Sequence, residues 1–269
     1  MANQTFNSAP YEGTEVITFT FSDPSARDSL SDENTEAGKT FATTLRVYLE
    51  NEHTGTVWWA SVHDAPNKTK LFIDWKTLAG KNQFENTAQA TLLANNWKTI
   101  TSSPVIKETY KFNPSNAVAR QTALSSTYET VSVCFTFRFN SAIHADHLDG
   151  AFQELNHAIM LSPGAVVASY SIGGWSVDRT SYCACYRYLN AKAMRNFVHG
   201  DTKVRDLVGE LEARAAGFQM EFFETKAFEQ GWQGSVMKTV PDNPVLSGFM
   251  SEMQDLFSGI DGSTLRGER

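Results

Sequence analysis

Within GTVWWASVHD, residues 55–64, strand alternation puts Trp59, Ser61 and His63 on one face and Trp58 and Ala60 on the other. An imidazole beside a hydroxyl and an indole is a general acid–base group at the polar end of an aromatic wall, so His63 is a candidate for proton transfer if that face looks inward. Asp74, Arg138 and Glu221 sit on other strand-like segments. Each either closes an internal ion pair or faces a cavity, where it polarises a carbonyl or takes a proton. Arg138 is expected near Gln219 and Glu221, and Asp74 near Lys111. Lys107 and Thr109 are offered to the same interior, and Thr20, Thr136, Tyr170 and Arg187 complete the set of candidate substrate contacts.

Other chemistries are poorly served. The odd number of cysteines, Cys134, Cys183 and Cys185, suits reduced thiols, and Cys183-x-Cys185 lacks a companion pair at zinc spacing. His144-x-x-His147 reads as a helix entry, His53 as a turn, and His199 is a weak proximal ligand for haem. No dinucleotide or phosphate loop and no nucleophile elbow is present, so neither cofactor nor metal is expected.

The elements that must position these groups come in one order, twice. Residues 15–21 (VITFTF and its flanks) read as a strand with Ile17, Phe19 and Phe21 on one face. A helix with Ala37, Phe41, Leu45 and Tyr48 on a stripe follows. Then come a hairpin (56–63 and 70–75), a broken helical stretch over 77–100 with Ala88, Leu92, Asn96 and Ile100 in line, and a strand at 105–112. The second half repeats this with strand 131–139, helix 146–160, a hairpin through Gly173-Gly174, helical stretches at 191–198 and 203–215, and strand 218–225. The fold class is therefore α+β, two ferredoxin-like βαββαβ repeats at 15–113 and 128–227, joined by a linker at 114–127. Each sheet keeps one face bare, and packing the two bare faces together makes an intramolecular barrel around a shared interior. Residues 228–269 form an extension with an amphipathic helix at 244–260.

Bulk composition agrees with a packed globular chain: 269 residues, 41% hydrophobic and 12% aromatic. A net charge of -7 without a basic tract argues against nucleic acid as a partner, and no run suits a membrane span or secretory signal. A cytoplasmic monomer or homodimer is expected.

The residues Thr54-Gly55-Thr56-Val57-Trp58-Trp59-Ala60, Lys70 to Leu78 and Phe84, echoed by Pro163-Gly164-Ala165-Val166 and Tyr182 to Phe197, resemble the antibiotic biosynthesis monooxygenase (ABM) type of dimeric α+β barrel in its tandem fungal form. The resemblance implies a small cavity between sheets and helices, used in that superfamily by cofactor-free monooxygenases, cyclases, decarboxylases and isomerases of natural products. The expected function is cofactor-independent cyclisation or rearrangement of an apolar polyketide, terpenoid or related metabolite in the barrel. The alternatives are cofactor-free oxygenation of an electron-rich phenol and a non-catalytic ligand-binding or scaffold protein. A cavity of about 300 Å³ or more separates catalysis or ligand binding from a solid scaffold.

Overall fold

A computed structural model describes residues 10–30, 32–62, 65–113, 115, 123–124, 131–142, 148–161, 167–188 and 202–228. Their order is β1 (Gly13–Thr20), α1 (Glu36–Glu50), β2 (Thr54–Val62), β3 (Lys68–Trp75), α2 (Leu78–Glu85), α3 (Ala88–Ile100) and β4 (Ile106–Tyr110). The second half follows with β5 (Val131–Arg138), α4 (Asp149–Leu161), β6 (Val167–Trp175), β7 (Ser181–Tyr188), α5 (Thr202–Glu212) and β8 (Gly217–Phe228). His63, the His144-x-x-His147 pair, Pro163 to Val166, the stretch 191–198, His199, most of the linker and the helix expected at 244–260 lie outside the described residues.

Threonines start the first three helices. The hydroxyls of Thr35, Thr77 and Thr87 accept the amides of Gly38, Gly80 and Ala90, each cap stabilising its helix by about 1 kcal/mol. The cap at Thr87 restarts the helix after α2, which turns the buried stripe of α3 to Leu93, Trp97 and Ile100. The stripe expected through Ala88, Leu92 and Asn96 is corrected accordingly, with Leu92 52% exposed.

All strand pairs are antiparallel, in the order β4-β1-β3-β2-β8-β5-β7-β6. The two halves do not pack as separate sheets face to face: β2 pairs with β8 from Val57↔Phe228 to Val62↔Phe223, making one continuous sheet. Unpaired strand edges demand partners, and this ladder supplies them. It also explains why β8 runs past the end expected for it at residue 225. The outer edges close as well. Lys111 N–H donates to Trp175 O (2.9 Å), Asn113 N–H to Gly173 O (2.8 Å) and Val177 N–H to Thr109 O (2.8 Å), so β4 and its continuation lie along β6. At this seam a Cβ on Gly174 would stand 2.0 Å from the Lys111 carbonyl oxygen, so only glycine lets the strands meet.

Helices cover the outer face. Ile17, Phe19, Phe21, Trp59 and Trp75 pack beneath α1–α3, and Val133, Phe135, Phe137, Tyr182 and Tyr186 beneath α4 and α5. The inner face holds Val16, Trp58, Phe72, Tyr110, Ile172, Phe223 and the three cysteines, all buried. At its centre Lys70 of β3 pairs with Glu221 of β8, the two residues 4% and 2% exposed. An eight-stranded barrel is just wide enough for side chains to fill it, and here they do. The chamber expected between the bare faces is lined by these buried side chains, joined among the described residues by Ala123 and Leu124 of the linker. No described helix is long and apolar enough to cross a membrane.

The central ion pair gives a test of this packing. Lys70→Met, which strands the Glu221 carboxylate, should cost about 3–5 kcal/mol in chemical denaturation, whereas adding Glu221→Leu should recover most of that loss. A double variant no more stable than the single one would contradict the arrangement.

Candidate functional site

The barrel interior gathers three of the four acid–base candidates, each with partners. Asp74 accepts from the Thr14 hydroxyl (2.6 Å) and from Trp58 Nε1 (3.2 Å). Arg138 forks onto Glu108 (Nε 3.2 Å, Nη2 2.9 Å) and donates Nη1 to Gln219 Oε1 (3.2 Å), and Gln219 Nε2 donates to Glu221 Oε1 (2.6 Å). The expected neighbourhood of Arg138, Gln219 and Glu221 is thus present, extended by Glu108 at one end and Lys70 at the other. Burial alone would lower the Lys70 pKa, but Glu221 and the thiols of Cys134 and Cys183 outweigh it and hold the ammonium above the usual lysine range. Burial pushes the Glu221 carboxyl up, against the pull of Lys70.

Several expected contacts point elsewhere. Trp59 lies on the helix-covered face, 5.5 Å ring to ring from Phe41, and Ser61 shares its side of β2. The indole that enters the barrel is Trp58. Lys107 and Thr109 pair with Ile17 and Glu15, which puts them on the outer face, where Lys107 Nζ rests 5.1 Å from the Trp97 ring; Glu108 takes the inward position. Thr136 is buried inside, 3.7 Å from Cys134 Sγ, Thr20 ends β1, and Arg187 pairs with Ser132 at the end of β5 opposite Arg138. The Tyr170 side chain and His63 lie outside what is described.

Open space occurs instead between a helix and the sheet. In α4, Asp149, Phe152, Gln153 and Asn156 recur at i, i+3, i+4 and i+7 and so share one face. Together with Gly173 and Trp175 of β6, Tyr182 of β7 and Arg179 of the intervening turn, they line a cleft of about 360 Å³. Its floor is aromatic: Phe152 stacks on Tyr182 at 3.7 Å, with Trp175 edge-on to both. Trp175 Nε1 donates to Asp149. Arg179 is the described non-glycine residue with positive φ, 59°, a turn conformation costing on the order of 1 kcal/mol that sets its guanidinium 4.6 Å from the Trp175 ring and 3.6 Å from Asp149.

A relay fixes the phenol. Tyr186 O–H donates to Asn156 Oδ1, and Asn156 Nδ2 donates to Tyr182 Oη (3.2 Å), which leaves the Tyr182 proton available for a ligand. Gly173 makes room, since a Cβ there would meet the Tyr182 hydroxyl at 2.7 Å. Burial raises the Tyr182 pKa to about 12 despite the Asn156 hydrogen bond, so this group is a neutral donor across the physiological range. A second cleft of about 380 Å³ lies across the β4 seam, lined by Leu78, Lys81, Lys107 and Glu108, and lacks the aromatic floor. Sequence reading missed the α4 cleft because its polar residues are scattered over a helix, a turn and two strands; the i, i+3, i+4, i+7 set on α4 was the available signal.

No model of a known protein family and no curated protein matches the sequence. Among solved structures, the chain is similar to an anthrone oxidase-like protein (TM-score 0.56, 13% identity, covering 86% of this chain and 99% of that one). It is also similar to a candidate monooxygenase from Fusobacterium nucleatum subsp. nucleatum (TM-score 0.51, 11% identity, 87% and 100% coverage). At these identities the likeness is one of fold, and the fold is the α+β barrel with ferredoxin-like halves.

The raised Tyr182 pKa has a measurable sign. A folded value above the unfolded one stabilises the fold fully below about pH 10 and ceases to do so as pH rises through about 12. Ultraviolet difference titration of wild type against Tyr182→Phe should show one tyrosine ionising near the top of that range; ionisation at an ordinary tyrosine value would contradict the buried relay.

Proposed function

We propose that the cleft beneath α4 is the active site of a cofactor-independent oxygenase acting on an electron-rich, phenolic polycyclic substrate, in a protein of the tandem ABM-like type. The observation that carries this reading is the neutral Tyr182 hydroxyl, oriented by Asn156 and Tyr186 over a wall of Phe152 and Trp175. The volume of about 360 Å³ exceeds the size a ligand site requires, which favours a binding cleft over a solid scaffold. The anthrone oxidase-like neighbour suggests the substrate class.

Flat rings of the substrate lie against the aromatic floor made by Trp175, Phe152 and Tyr182. Tyr182 donates to the substrate oxygen on which negative charge builds, and Asp149, the carboxylate among the described lining residues, accepts the proton leaving the ring carbon. The resulting carbanion is the reductant for dioxygen: one electron passes to O₂, the radicals combine, and the hydroperoxide loses water. The balance is a ring CH₂ plus O₂ giving C=O plus H₂O. Arg179 at the mouth attracts the anionic form of the substrate. The site acts within the cytoplasm on a small apolar metabolite, with the chain as monomer or homodimer.

Cyclisation or rearrangement without oxygen, first expected in the barrel, would use the same cleft and the same oxyanion donor. Oxygen-electrode measurements with an anthrone probe decide between them. Oxygen uptake should match quinone formed, one atom of labelled O₂ should enter the product, and Tyr182→Phe should lower kcat by about 10²–10³-fold. Turnover at an equal rate without air would replace oxygenation by cyclisation, and no turnover with either an anthrone or a polyketide precursor would remove the catalytic reading.

A further inference from the structure

The three cysteines converge at one point inside the barrel. Cys183 and Cys185 point the same way from β7, and Cys134 on β5 is the register partner of Cys185, so two paired strands bring three sulfurs together. All three are free and buried, their Sγ atoms lie within 4.8 Å of one another, and Cys134 Sγ is 3.3 Å from Cys183 Sγ. The mechanism in the α4 cleft uses none of them.

We infer that Cys134, Cys183 and Cys185 form a three-coordinate site for one soft monovalent cation of the Cu(I) class. Geometry is the first ground. Metal–sulfur bonds of about 2.3 Å in a trigonal plane set sulfurs about 4.0 Å apart, between the 3.3 Å contact and the 4.8 Å limit observed. Only small side-chain rotations separate the present cluster from a ligand set. The donor chemistry is the second ground. All three donors are thiols, which select Cu(I) over harder ions, and no histidine or carboxylate joins the group among the described residues. Structural zinc takes a fourth protein ligand, and catalytic zinc keeps a water on its open position; among the described residues this site is buried and offers neither.

Charge is the third ground. Binding one Cu(I) with loss of three thiol protons leaves three thiolates and a net charge of minus two, with the three protons released to solvent. Lys70 pairs with Glu221, the register partner of Cys134, so its ammonium faces the same interior. Its ammonium, shared with Glu221, offsets part of that charge where water cannot. Three thiols packed as small apolar groups would satisfy the same burial, but nothing in simple packing requires all of them to meet.

The full-length protein, reduced and kept under argon, is titrated with Cu(I) against a competing Cu(I) chelator. One copper per chain should be retained, X-ray absorption should show sulfur-only coordination with three neighbours, and the melting temperature should rise. Cys183→Ser should weaken retention by at least about 100-fold, the upper end of what losing a supporting hydrogen-bond partner costs a metal site. Since that variant risks misfolding, the wild-type spectrum stands as an independent reading. Failure of wild type to retain copper, nitrogen or oxygen neighbours in its spectrum, or equal retention after replacing all three cysteines by serine would each overturn the site.

Discussion

Two opposite charges buried at the centre of the barrel set the terms for everything around them. Lys70 and Glu221 come from different halves of the chain and meet where almost no solvent reaches. Either charge alone in that position would be strongly destabilising, so the halves have one relative register in which both are satisfied. Arg138 reinforces it by reaching from β5 to Glu108 on β4, with Gln219 bridging back to Glu221. The β2–β8 ladder and the β4–β6 seam then complete a hoop whose interior is filled by Trp58, Phe72 and Phe223.

One open cleft lies outside this hoop, in the layer between a helix and the sheet. The two halves treat that layer differently. Under α1 it is occupied: Trp59 packs on Phe41, Trp97 Nε1 donates to Thr44 (2.9 Å), and Tyr48, Trp75 and Phe84 stack against one another. Beside α4 the side chains are shorter and polar, and the cleft opens where Asn156 and Gln153 stand in place of large apolar groups. One half fills this layer with aromatic side chains and the other leaves a cleft in it.

The elements were legible because their periodicities are clean. Ile17, Phe19 and Phe21 alternate beneath helices, and Val204, Leu207, Val208 and Leu211 recur at helical spacing as the buried face of α5. What could not be read was which adjacent residue faces in. Trp58 and Trp59 are the same residue on opposite faces, and the choice depends on pairing with β3 and β8, a matter of tertiary register. A one-residue shift likewise exchanged Lys107 and Thr109 for Glu108. Arg138 and Gln219 were foreseeable as neighbours because strand order alone brings them together. Asp149, Asn156, Arg179 and Tyr182 were not, since no local pattern announces a cleft whose walls come from four separate elements.

Consecutive glycines at 173 and 174 face opposite ways and do unrelated jobs. The first leaves space for a phenolic oxygen, and the second lets two backbones touch where the hoop fastens. This dipeptide therefore has little latitude: enlarging one residue crowds the Tyr182 hydroxyl, and enlarging its neighbour unclasps the scaffold. Change is better tolerated at Gln153 on the wall of α4, which is exposed and takes no part in the aromatic floor or the Tyr186–Asn156–Tyr182 relay.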